Sequence, residues 1–78
     1  MMTQEVYRKV YGDATLMVTE TLQGYYRSVP FSFAILWRGS TWNFPTITNR
    51  CQTRHEAIMR GWYRCQWLNT GTFFTRYR

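Results

Sequence analysis

The chain is short of negative charge and almost without lysine. Among its 78 residues only Glu5, Asp13, Glu20 and Glu56 are acidic, against ten basic residues, for a formal charge of +6. So few carboxylates make a poor stock of general acids and bases, and Glu56 is needed as a helix cap, so no enzymatic activity is expected. Histidine is equally scarce. His55 stands alone, and no Ser/His/Asp or Cys/His arrangement can be assembled around it. Cys51, His55 and Cys65 form an incomplete zinc set without paired ligand spacing, so no metal or other cofactor is expected. With Cys65 three turns into a helix and Cys51 ahead of it, the two sulfurs would lie roughly 18 Å apart, too far for a disulfide. Two unpaired thiols suit a reducing compartment.

Long apolar runs are missing as well. The longest, Phe33 to Trp37, falls far below the roughly 18 residues of a spanning helix, so no membrane partner is expected. Met1 and Met2 lead straight into polar Thr3, Gln4 and Glu5 with no apolar stretch of a signal peptide, and the expected location is cytoplasmic. Alanine is scarce too, at Ala14, Ala34 and Ala57, although a GC-rich codon bias that enriched arginine would also enrich alanine.

What the chain has instead is arginine and aromatic rings. Lys9 is the only lysine among the ten basic residues, and Trp, Tyr and Phe together make up 19% of the chain. Guanidinium is planar, always charged and weakly hydrated, so it forks onto phosphate or carboxylate and stacks on flat faces where an ammonium does not. This composition points to a polyanionic partner. A chain of this length holds one domain, residues 1–78, with a thin core. Half-buried aromatics are one way for a small domain to compensate.

The pattern along the chain predicts an α+β domain, a three- to four-stranded antiparallel sheet over about residues 5–47 packed by one C-terminal helix over about 54–69, then a basic aromatic tail, 72–78. Val6, Arg8 and Val10 alternate with Tyr7, Lys9 and Tyr11 up to the turn pair Gly12-Asp13. Leu16, Val18 and Leu22 then share one face of a second strand, with Thr15, Thr19 and Thr21 on the other. In the third strand Phe31, Phe33, Ile35 and Trp37 oppose Ser32, Ala34, Leu36 and Arg38. A hairpin turn over Arg38 to Thr41 leads to a fourth strand toward Ile47, with Trp42 and Phe44 on one side, Asn43 on the other and Pro45 near its end.

Thr53-Arg54-His55-Glu56 is a capping box, after which Ala57, Ile58, Gly61, Trp62, Cys65 and Leu68 form the stripe expected to pack on the sheet. Gly61 would allow close approach there, and Gly71 would end the helix. The opposite face carries Met59, Tyr63 and Trp67 four residues apart, with Arg60 and Arg64 one ridge over. Left uncovered, such a ridge has the composition of a protein interface or a homodimer contact; covered by Phe73-Phe74, it is structural. The sheet face away from the helix should present Thr15, Thr19, Thr21, Ser32, Ala34, Arg38 and Asn43, short hydrogen-bonding groups suited to a phosphate backbone.

From Phe33 to about Leu68 the chain resembles the Apetala-type DNA-binding domain and the arm-binding domain of phage integrases. The matching residues are Trp37-Arg38-Gly39, Trp42, Phe44 and Thr53-Arg54-His55-Glu56-Ala57, whereas Thr46 to Gln52 form an insertion relative to those families. The resemblance implies a three-stranded sheet entering the DNA major groove, with Arg27, Arg38 and Trp42 in that role. Two functions are therefore carried forward. One is nucleic-acid binding, foremost DNA, through Arg8, Lys9, Arg27, Arg38, Trp42, Asn43, Arg50 and Arg54. The other is a small interaction protein, such as a phage-encoded inhibitor or a minor subunit of a larger assembly, that docks on an acidic surface through Met59, Arg60, Tyr63, Arg64 and Trp67.

Overall fold

A computed structural model describes residues 2–22, 24, 26–42 and 49–70. Within them one antiparallel sheet packs against one C-terminal helix. The strands are β1 (Thr3–Tyr11), β2 (Ala14–Thr21), β3 (Phe31–Trp37), β4 (Ser40–Trp42) and β5 (Arg50–Cys51), followed by α1 (Arg54–Thr70). The sheet order is β1-β2-β3-β4, and β5 pairs with β3 beyond the end of β4. The sheet thus has five strands. β5, unforeseen from its two residues, supplies the buried Cys51. The remainder of the expected fourth strand, from Asn43 to Ile47, lies outside the described residues, as do Gly71 and the tail.

Both hairpins follow from their turn residues. Tyr11 pairs with Ala14 across Gly12-Asp13, and Gly12 has φ 61°, the positive value that a two-residue turn of this kind needs at its first position. Trp37 pairs with Ser40 across Arg38 and Gly39, at φ 51° and 85°. Positive φ at both central positions matches the twist of the flanking strands, but for Arg38 it costs about 1 kcal/mol because Cβ crowds the following carbonyl.

The core occupies one face of the sheet. Ala14, Leu16 and Val18 of β2 and Phe33 and Ile35 of β3 are buried, and Tyr7, Tyr11, Phe31, Trp37 and Trp42 pack around them. From α1 the buried contribution is Ala57, Gly61, Cys65 and Leu68. A Cβ at Gly61 would collide with the fully buried side chain of Leu16, so the missing side chain sets the close approach of helix to sheet. That approach narrows the buried stripe. Trp62, expected within it, is instead 38% exposed, because a helix this close to the sheet leaves no gap for an indole on its flank.

Leu22 also departs from expectation. It lies past the end of β2 and is exposed. Thr21, expected on the uncovered face, is buried there, since the Arg50 guanidinium donates to its Oγ1 at 3.1 Å. The strand β1 is interrupted between Glu5 and Tyr7, where Val6 is an extra residue opposite β2. Val6 packs on the core instead of sharing the outer face with Arg8 and Val10.

α1 is capped at its start and tied to the first hairpin at its end. Thr53 Oγ1 accepts from Glu56 N at 3.0 Å, and Glu56 Oε1 accepts from Gln52 N at 3.0 Å, so the returning half of the capping box reaches one residue further back than usual. At the other end Asn69 Nδ2 donates to Tyr11 O at 2.6 Å and its Oδ1 accepts from Asp13 N at 3.1 Å. One side chain thereby holds the first hairpin turn against the last turn of the helix.

Candidate functional site

Pairing across the strands assigns the residues of the sheet face opposite α1. One row reads Val10, Thr15, Leu36 and Thr41; the next Arg8, Met17 and Ala34; the third Glu5, Thr19, Ser32 and Arg50. Thr19 and Ser32 hydroxyls are hydrogen bonded at 2.9 Å. The expected Thr/Ser/Ala face is therefore present, but Val10, Met17 and Leu36 make it more apolar than the threonines alone suggested.

Of the eight residues proposed for nucleic acid, four lie on this face or at its ends. Arg8 projects from β1, Arg50 from β5, Arg38 from the β3–β4 turn, and Arg27 from the connection between β2 and β3. Lys9 and Trp42 do not belong there. Lys9 pairs with Leu16 and Trp42 with Ile35, which puts both on the core side. Arg54 opens the helix, where its Nε donates to Val6 O at 3.2 Å, again on the helix side. Asn43 lies outside the described residues.

Two of the four are partly neutralised. Arg8 forks onto Glu5 with Nη2–Oε1 at 2.7 Å and Nε–Oε2 at 3.0 Å. Residues three apart in a regular strand face opposite ways, and only the extra residue at Val6 brings these two together. The pair holds the Glu5 carboxyl below its ordinary range, foremost through the hydrogen bond, and raises Arg8. Arg38 Nε lies 3.3 Å from Asp13 Oδ2 while its backbone N donates to Asp13 O, which ties the two hairpin turns into one end of the molecule. Arg27 lines a cleft with Glu20, Thr21, Leu22, Gly24 and Pro30.

Guanidinium stacking proves to be largely internal. Among the described residues Arg50 lies 3.6 Å from the Tyr26 ring, Arg64 4.7 Å from Trp67 and Arg38 4.9 Å from Trp37. Lys9 over Tyr11, Arg54 over Tyr7 and Arg60 over Phe33 are looser, at 5.5 to 5.7 Å. Such pairs occur roughly once per 70–80 residues in proteins generally. Here they are a building device that joins strands, loops and helix. Arg50 is the clearest case, half-buried and donating also to Val29 O at 3.5 Å, so it pins the β2–β3 connection.

No protein-family model, curated protein or solved structure matches this chain. The resemblance to the Apetala-type domain consequently rests on its own residues, now placed: Trp37-Arg38-Gly39 at the second hairpin, Trp42 in β4, and Thr53 to Ala57 at the start of α1.

The partner-ridge residues divide. Met59 and Tyr63 are exposed, Tyr63 at 71%, while Trp67 is half-buried, packs on the core and carries Arg64 against its ring. Arg60 Nη1 donates to Arg50 O at 3.2 Å and lies 3.4 Å from Cys51 Sγ, so it is also a tie between helix and β5. Trp62, which the pattern put in the core stripe, joins the exposed set. The cysteines are free and buried; burial pushes the Cys65 thiol up to about 11 and also raises Cys51, where Arg60 opposes the rise. No three His, Cys, Asp or Glu side chains among the described residues converge on a possible metal position. Among the described residues no helix is long and apolar enough to cross a membrane.

Proposed function

We propose that the protein binds a nucleic acid duplex, foremost DNA, on the sheet face opposite α1. The observation that carries this reading is a face of short side chains on β2 and β3, Thr15, Thr19, Ser32 and Ala34, with Arg8 beside them on β1 and Arg38 and Arg27 at its two ends. The seven residues of β3 span roughly 23 Å, a length over which a duplex presents about 13 phosphate charges. Each of the three arginines therefore has phosphates within reach in many registers. Short neighbours let the backbone approach closely enough for guanidinium forks.

The duplex form is favoured by where the rings are. Sheets that bind single strands stack bases on aromatic side chains. Every described strand aromatic here, Tyr7, Tyr11, Phe31, Phe33, Trp37 and Trp42, is directed at the core side, and the open face has aliphatic or hydroxyl groups in those positions. Arg50, committed to Tyr26 and Thr21, acts in this reading as the support of the Arg27 loop and not as a phosphate contact.

Anisotropy titrations with labelled duplex DNA, duplex RNA and single-stranded DNA at 50 and 200 mM salt test the proposal. With three to four phosphate contacts the duplex affinity should fall about a hundredfold between the two salts. The double variant R27A/R38A should lower the salt slope by about 2. Equal binding of single strands, or an unchanged slope in that variant, would sink the reading.

A further inference from the structure

We propose that the solvent side of α1 is a second, independent docking surface whose occupant is an acidic amphipathic segment of a partner protein. Ala57, Gly61, Cys65 and Leu68 are the buried residues of this helix, and Ile58 and Trp67 pack beside them. Met59, Trp62 and Tyr63 are not used in that packing and remain 48%, 38% and 71% exposed. Tyr and Trp are the side chains that most often dominate interface energies, and Met adapts its shape to apolar partners.

The surface is concave. Trp62, Tyr63, Gln66, Trp67 and Thr70 line a hollow of about 280 Å³, room for one or two apolar side chains and too small for a folded ligand. Gln66 contributes a polar side chain to its lining, while the Thr70 hydroxyl is bonded back to Gln66 O at 2.9 Å. A shallow hollow of this size takes a protruding side chain, whereas a lipid surface would be met by a flat apolar face.

Charge selects the sign of the occupant. The described helix carries Arg54, Arg60 and Arg64, while its one acid, Glu56, is bound to the backbone of Gln52 at the helix start. Three arginines against one carboxylate leave the described helix with a positive formal charge. It attracts carboxylates. A second copy of the chain is disfavoured for the same reason, since a two-fold contact would bring the same arginines together on two molecules of charge +6. An occupant with leucine or phenylalanine at i and i+4 and Asp or Glu between them satisfies both the hollow and the charge.

The test uses the full chain and a synthetic 16-residue peptide of that pattern, with a scrambled isomer of identical composition, followed by tryptophan fluorescence. The patterned peptide should bind at least tenfold more tightly than the scramble. Tyr63→Ala and Tyr63→Glu should each weaken it at least tenfold at unchanged helical circular dichroism, and R27A/R38A should leave it unchanged. Equal binding of the scramble, or no effect of Tyr63→Ala, would overturn the proposal, as would a Tyr63-dependent dimer in sedimentation or Tyr63-dependent uptake by phosphatidylglycerol vesicles. Peptide binding and duplex binding are read separately, so either can fail alone.

Discussion

The two faces of the sheet are built from alternate residues of the same strands and obey different rules. On the helix side Leu16, Val18 and Ile35 are completely buried, and Gly61 leaves no space above Leu16. On the other side Met17, Ala34 and Leu36 have similar hydrophobicity but are only half-buried, because no described element packs over them. Stability therefore resides on one face, and the other is free to carry a function. In a domain this small the division also accounts for the rings of the described strands, all of which lie on the core side, whereas Trp62 and Tyr63 of the helix remain exposed.

The largest test of this contrast is a matched pair of truncations. Leu16→Ala should cost about 3–4 kcal/mol in urea unfolding, whereas Met17→Ala, one residue along, should cost less than about 1 kcal/mol. Equal losses would mean that the open face is also a core. Next in size is the response to alkali. The thiol of Cys65 titrates near 11 in the fold because burial disfavours the thiolate, against about 9 when exposed. Its contribution to stability is complete below pH 9 and is lost as pH rises to about 11, on the order of 2 kcal/mol. Tyr11, pushed up to about 12 by burial and then by the Tyr7 hydroxyl, adds a loss that begins higher. Cys65→Ala should remove its own share of that alkaline decline in a series of denaturation curves, leaving the shares of Cys51 and Tyr11.

Gly61→Ala is a smaller but sharper probe, since it adds one methyl against Leu16. Overpacking of about 1–3 kcal/mol should exceed the gain of about 1 kcal/mol in helix propensity, leaving a net loss of about 1 kcal/mol. A gain in thermal stability would show that the helix can lift from the sheet. The smallest effect carries the opposite sign. Arg38→Asn relieves the left-handed backbone and should stabilise by less than about 1 kcal/mol, while weakening duplex binding. If binding were unaffected, Arg38 would be no more than the tie to Asp13 and Trp37.

Arginine serves two purposes in this chain. A preference for guanidinium over ammonium suggested an external polyanion, yet Arg50, Arg38 and Arg64 stack on rings of their own chain, and Arg60 donates to the backbone of β5. Both uses draw on the same flat, weakly hydrated group, so the count of arginines does not separate them. Only the partners do. The Glu5–Arg8 fork was equally invisible, because its geometry depends on an extra residue at Val6 that no local signal marks.

Local signals alone settled the element types: alternation in the first three strands, the two hairpin turns, the capping residues Thr53 and Glu56, and a helix that needed Gly61 for close packing. These are properties of a few neighbouring side chains and their backbone angles, and they act at short range. The tertiary structure decided that Val6 would turn to the core, that Trp62 would be left outside and Thr21 covered by Arg50, and that a two-residue strand would join β3. Those outcomes depend on distances between segments up to nearly sixty residues apart, as between Asp13 and Asn69, and so on the volume left once the core has closed.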